Sequence, residues 1–244
     1  MPTLPILSYH NIGVCPPAGR FKLLYVTPRQ FEAQLRALHR LGLRGVSIGE
    51  GLRRLNQTGR TGCVALTFDD GYADNVTHAL PLLQKYGFTA TCYLVSHAIG
   101  TYNHWDAAYL SEKKQLMHRG QIREWLAAGM EIGSHSCSHP KLEDLDDAAA
   151  GAEIVDSRRA LQSAFDAPVD HFAYPYGRFR PSTLELVRRA GYRSAVSLLR
   201  GIAGQNDDRF GLPRIFVNGD HGMAKFLLRI ATPYENWRRP SAAP

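Results

Sequence analysis

The stretch that most constrains this chain runs from Cys63 to Gly71, where the apolar Cys63-Val64-Ala65-Leu66 leads through Thr67 and Phe68 into Asp69-Asp70-Gly71. A short, uninterrupted apolar run reads as a buried strand. Two adjacent carboxylates at the exit of such a strand are costly, because each charge resists leaving water and each raises the other's pKa. A divalent cation is the simplest compensation. On its own the segment also fits a turn whose Asp side chains cap a helix starting near Tyr72. The choice rests on whether the rest of the chain supplies further ligands. In α/β sheets catalytic groups gather at the C-terminal ends of strands, which is where these acids would lie.

Strand and helix signals alternate on both sides of this point. Pro5–His10 reads as a first strand with a histidine at its end, and residues 13–27 as irregular chain. Thr27-Pro28 opens a helix carrying Phe31, Leu35, Leu38 and Leu41 at helical spacing and ending at Gly42. Val46–Ile48 reads as a short strand and Leu52–Leu55 as a brief helix stopped by residues 56–59. Beyond the acids, Tyr72–Tyr86 reads as a helix ended by Gly87 and Thr89–Val95 as a parallel strand. Ser96–Met117 is a long polar and aromatic connection, of the kind that serves function in compact domains.

The same alternation continues to the end of the chain. Gln121–Ala128 is predicted helical, Met130–Gly133 a strand, Leu145–Phe165 a long helix and Val169–Tyr174 a strand ending in the turn Pro175-Tyr176-Gly177. Thr183–Ala190 is a helix, Tyr192–Leu198 a strand, Arg200–Phe210 a loop, Leu212–Val217 a last strand and Gly222–Ile230 a closing helix. Strand, helix, strand order implies an α/β core. With 244 residues and 44% hydrophobic content, one large core and a single domain over residues 1–236 are expected, followed by a disordered tail, 237–244.

The remaining ligands come from His135-Ser136-Cys137-Ser138-His139. Four-residue spacing lets both imidazoles face one ion from the loop and first turn after a strand. Two neutral imidazoles and one carboxylate are the ligand set of a catalytic zinc with a position open to water, leaving the second carboxylate free to take a proton. Cys15, Cys63, Cys92 and Cys137 lack the spacing of a thiolate site or a disulfide framework. Cys63 and Cys92 read as core residues.

The net charge of +7 favours an acidic partner such as an anionic glycan or an anionic membrane surface touched peripherally. The basic residues are not interleaved with aromatics, and no helix-turn-helix or zinc-finger spacing occurs, so nucleic acid is not expected. The opening Met1–Leu7 has neither a basic segment nor a long apolar one, and no membrane-spanning run is visible. A cytoplasmic protein is therefore expected, with peripheral attachment at the inner membrane as the alternative. The oligomeric state stays open.

Thr67-Phe68-Asp69-Asp70-Gly71 and His135-Ser136-Cys137-Ser138-His139 together resemble the TFDDG and H[ST]xxH motifs of the NodB-homology polysaccharide deacetylases, carbohydrate esterase family 4. The resemblance runs from about Ile6 to the closing helix and implies a distorted (β/α) barrel. It implies Asp69 as general base and Asp70, His135 and His139 as ligands of one divalent ion, zinc first, with cobalt or nickel as alternatives. The family's RxPY motif stands here as Ala173-Tyr174-Pro175-Tyr176, without its arginine. Arg214, in a late strand, is the candidate replacement. No LxH motif surrounds His221; Leu7-Ser8-Tyr9-His10 instead resembles the permuted order of the poly-β-1,6-N-acetylglucosamine deacetylases, which favours His10 over His221 as general acid.

The expected reaction removes acetyl from an N-acetylated sugar or glycan, with the Tyr176 N–H as an oxyanion donor and Asn103, Trp105, Asp106 and Tyr174 facing the substrate. The alternatives are a deformylase or amidase acting on a lipid-linked or nucleotide sugar, or an inactive carbohydrate-binding member of the family.

Overall fold

A computed structural model describes residues 2–16, 22–57, 62–106 and 113–238. Eight parallel strands form one sheet: β1 (Ile6–Tyr9), β2 (Arg44–Val46), β3 (Cys63–Phe68), β4 (Thr91–Leu94), β5 (Glu131–Ser134), β6 (His171–Ala173), β7 (Ser194–Arg200) and β8 (Leu212–Phe216). Its order is β1-β8-β7-β6-β5-β4-β3-β2, and β1 also pairs with β3, so seven strands close into a ring. The short β2 lies along the first half of β3, on the flank whose second half pairs with β4. This is the expected distorted (β/α) barrel, with helices around the ring.

Alternation along each strand sorts side chains between two cores. Ile6, Ala65, Tyr93, Ala173, Val196 and Leu212 pack together as one buried cluster, while Leu7, Leu66, Phe68, Phe172 and Ile215 join a second cluster with the helices. By the same parity Ser8, Thr67 and Arg214 share the face of Ile6, Ala65 and Leu212. Polar groups thus stack above an apolar floor inside the ring, towards the C-terminal ends of β1, β3 and β8. Gly133 is needed in this interior, since a Cβ there would stand 2.5 Å from a Tyr93 ring carbon and 2.7 Å from the His171 carbonyl oxygen. Gly133→Ala is expected to cost about 3 kcal/mol. The check is a melting temperature lower by roughly 6–12 °C.

Local signals explain most helix starts. Thr27 caps α1 (Pro28–Arg40) through a complete capping box with Gln30. Phe31, Leu35 and Leu38 are buried there, whereas Leu41, expected on the same face, stands beyond the helix and is 53% exposed. The expected strand Val46–Ile48 is also corrected. Strand β2 stops at Val46 because Ser47 accepts a hydrogen bond from the Glu50 N–H and caps α2 (Ile48–Leu55).

The helix expected from Tyr72 begins later, as a wide turn at Asn75–Ala79 followed by α3 (Leu80–Lys85). Pro81, which has no amide proton to give the preceding turn, stands at that junction. Tyr72 instead bridges to Leu116. The remaining helices are α4 (Arg119–Ala127), α5 (Asp147–Phe165), α6 (Pro181–Arg189), α7 (Met223–Ala231) and α8 (Tyr234–Trp237). Trp237 therefore ends a helix and does not open the tail; residues 239–244 lie outside the described residues.

Two expected irregular segments contain short strands. Tyr25–Val26 pairs with Asn11–Ile12, and Ala203–Gly204 pairs with Thr3–Leu4. Residues 17–21, within the stretch expected to be irregular, and 58–61, which include the end of the expected helix stop at 56–59, are outside the described residues. All four cysteines are free, and Cys63 and Cys92 are buried as expected. No helix among the described residues is long and apolar enough to cross a membrane.

Candidate active site

Strand β3 delivers its two acids to different partners. Asp69 continues the inward face of Ala65 and Thr67, and meets Arg214 from β8 two strands away. The guanidinium binds it through both terminal nitrogens, Nη1 to Oδ1 and Nη2 to Oδ2, each at 2.7 Å. Arg214 is itself pinned, Nε donating to the Ser197 carbonyl at 2.8 Å and Nη1 to Thr67 Oγ1 at 3.1 Å. The residue is 1% exposed. Burial alone would raise the Asp69 carboxyl; the adjacent Arg214 charge and its hydrogen bonds outweigh burial and hold it below the usual carboxylate range. Ser8 Oγ adds a third hydrogen bond to Oδ2 at 3.3 Å. Ala173, at the position where the usual motif has arginine, packs in the apolar cluster with Ile6, Tyr93 and Leu212.

Asp70 turns the other way because its backbone is left-handed, with φ 71°, a conformation that Asp tolerates better than most residues. Its Oδ1 lies 3.5 Å from His135 Nε2 and 3.4 Å from His139 Nε2. One donor atom from each of the three buried residues falls within 4.8 Å of the other two. Asp70 Oδ1 is buried without a hydrogen bond. His135 Nδ1 lies 2.7 Å from the Ala173 carbonyl, a contact that places the proton on Nδ1 and turns the Nε2 lone pair towards Asp70. An unsatisfied carboxylate oxygen facing two imidazole nitrogens fits a divalent cation, and this cluster can hold one.

The spacing of the two histidines works differently from the expected helical turn. His135 follows β5, and the chain then bends through Ser136 (φ 68°) and His139 (φ 62°). A left-handed turn, stabilised by Ser136 Oγ accepting from the His139 N–H at 3.0 Å, brings the second ring back. His139 stacks on Trp105 at 4.6 Å and meets Tyr176 edge-on at 4.6 Å.

The cluster opens into a pocket of about 530 Å³ that holds His10, Asp69, Asp70, His135 and His139, with Trp105, Asp106, Tyr174 and Tyr176 in its wall. His10 Nε2 is 3.9 Å from Asp69 Oδ2, and its ring packs edge-on against Phe216. Burial lowers its pKa against the raising effect of both aspartates. His221 does not line the pocket; its Nδ1 lies 2.9 Å from Arg229 Nη1. Asp106 is pushed up to about 6 by partial burial and by the charge of Asp70.

One expected substrate contact is placed otherwise. Asn103 is absent from the pocket wall; its Oδ1 accepts from the Lys114 N–H at 2.7 Å and closes the connecting loop. Residues 107–112 of that loop are outside the described residues. Tyr174 lines the pocket, its hydroxyl donating to the Phe210 carbonyl at 2.8 Å and its ring stacking on Phe179. Tyr176 adopts φ 58° in the turn after β6.

Leu23, Leu24, Lys141, Gly177, Arg178, Leu198 and Phe216 complete the wall and were not among the expected site residues. Lys141 and Arg178 lie two residues beyond His139 and Tyr176, a proximity that could have flagged them. Leu23 and Leu24 carry no such signal.

A family model described as polysaccharide deacetylase matches residues 56–195. The chain is 32% identical to the YxkH protein of Bacillus subtilis over 217 residues, 88% of this chain and 71% of that one. It is 24% identical over 229 residues to the poly-beta-1,6-N-acetyl-D-glucosamine N-deacetylase of Staphylococcus epidermidis, covering 88% of this chain and 78% of the relative. Among solved structures, the deacetylase PplD of Streptococcus pyogenes, determined with acetate, superposes with a TM-score of 0.81 at 28% identity, covering 93% of this chain and 98% of that one.

Proposed function

Because this chain belongs to the polysaccharide deacetylase family, we propose that it is a metal-dependent hydrolase that releases acetate from N-acetylated glucosamine units of a glycan. The observation that carries this reading is the division of labour between neighbouring acids: Asp69 is held by Arg214, and Asp70 faces His135 and His139. A binding protein has no need of two buried carboxylates kept in such different surroundings. The relative from Staphylococcus epidermidis supports the choice of polymer by its name.

A zinc ion held by Asp70, His135 and His139 would supply Lewis acidity towards the acetamide carbonyl and the attacking water. Asp69, kept ionised by Arg214, accepts a proton from that water. The acetyl carbon forms its new bond to the water oxygen, and the Tyr176 N–H, in the turn beside His139, is the assigned donor to the carbonyl oxygen as it gains charge. His10 enters neutral, since burial lowers its pKa. Its Nε2 lies 3.9 Å from Asp69, a gap that a small shift or one bridging water closes, and His10 is assigned to collect the abstracted proton and deliver it to the departing nitrogen. The C–N bond breaks, leaving acetate and a free amine. Trp105 and the tyrosine rings form apolar walls against which a sugar face can lie.

Acetate release from β-1,6-linked N-acetylglucosamine oligomers by the zinc-loaded protein tests the reading. His10→Ala is expected to lower turnover by about a hundredfold or more, the scale of general acid catalysis, with the melting temperature nearly unchanged. No acetate from these oligomers, or from chitooligosaccharides and the monomer, would reject the deacetylase assignment. Equal rates for His10→Ala and wild type would remove His10 from the mechanism.

A further inference from the structure

The turn that carries both histidines is gripped from behind by a carboxylate outside the pocket. Glu153, on α5, accepts the main-chain N–H groups of Cys137 at 2.8 Å and Ser138 at 2.9 Å on Oε2, and the Ser138 hydroxyl at 2.6 Å on Oε1. It lines a separate cavity of about 430 Å³, together with His97, Cys137, Pro140 and Asp156. It therefore touches the ligand-bearing turn without lining the pocket described above.

That turn needs an external hold. Ser136 and His139 both sit in the left-handed region, which few non-glycine residues occupy and which two positions in one short turn hold only with support from their surroundings. Two successive amides converge on one carboxylate oxygen, so a single acceptor at the right reach fixes both peptide planes and satisfies two main-chain donors that would otherwise lack a partner. Both amides lie between the histidines, so their direction governs where the second ring falls relative to the first.

We propose that Glu153 is a positioning residue that sets the metal affinity of the Asp70, His135 and His139 cluster by fixing the turn between the two histidines. The proposal rests on the reading of that cluster as a metal site. Partners behind the ligands of metal sites commonly change affinity by 10- to 100-fold.

The test is calorimetric titration of zinc into the metal-free full chain, with the absorption spectrum of the cobalt-loaded protein as a second readout and thermal unfolding of the metal-free protein as a folding control. Glu153→Ala is expected to weaken zinc by about 10- to 100-fold and to alter the cobalt bands. Glu153→Gln, whose amide oxygen can accept both N–H groups while its NH₂ faces the Ser138 hydroxyl, is expected to stay near wild type. Glu153→Asp keeps the charge but is one methylene short of the turn, and should resemble Glu153→Ala.

A long-range charge effect gives the opposite order, with Asp near wild type and Gln weakened, and would overturn the proposal. Unchanged affinity in both Ala and Asp variants overturns it while leaving the metal site standing. No zinc bound by the wild type overturns both. If Glu153→Ala does not fold, the order of Asp and Gln decides.

Discussion

Arg214→Ala is expected to lower acetate release by roughly a hundred- to a thousandfold, within the range attributed to a positioned general base. The arginine holds both oxygens of Asp69 at 2.7 Å, so its loss frees the carboxylate to rotate and leaves it buried without its counter-charge. Breaking one side of a buried ion pair typically costs about 3–5 kcal/mol, so stability must be followed with rate. Arg214→Lys separates the two effects: it retains positive charge but cannot form the two-pronged contact. Its melting temperature should recover more than its turnover. A folded Arg214→Ala protein with wild-type turnover would show that the ion pair is purely structural.

Removing the metal is expected to have the other large effect. Dialysis against a chelator should reduce acetate release about a thousandfold, equivalent to about 4 kcal/mol of transition-state stabilisation, and one equivalent of zinc should restore it. Asp70→Asn should resist this rescue, because it replaces the anionic ligand with a neutral one while keeping its shape. Zinc at about a thousand times its Kd should also stabilise the wild type by about 4 kcal/mol, visible as a higher melting temperature. Full turnover in the stripped protein would exclude a metal-dependent mechanism. Cobalt or nickel restoring activity better than zinc would correct the identity of the ion alone.

Much of the barrel was legible because its signals are local. Uninterrupted apolar runs such as Cys63–Leu66 mark strands buried on both faces, and Thr27-Pro28 marks a helix start by chemistry contained within one turn. Boundaries failed where a local signal had two uses. Ser47 can continue an extended strand or cap the next helix, and its hydrogen bond to Glu50 decides for the cap. Leu41 kept the apolar period of its helix but stands beyond the last turn. Asn103 shared a polar, aromatic loop with Trp105 and Asp106, yet its carbonyl oxygen is engaged in closing that loop.

The candidate site divides along the same line. Asp69, Asp70, His135 and His139 stand out in the sequence because residue type and spacing restrict what chemistry they can do. Arg214 was a candidate partner of Asp69 by residue type alone until closure of the ring set β8 beside β1 and β1 beside β3, which points Arg214 and Asp69 into one interior. Glu153 carries no motif at all. Its role depends on a helix packing behind a left-handed turn, contacts 15 and 16 residues apart in the chain that no local pattern records. The sequence by itself marked the candidate residues for the chemistry and determined that strands and helices alternate. Only the tertiary structure decided which side chains meet, because a meeting across the barrel depends on strand order, inward or outward parity and ring closure, which are properties of the assembled sheet.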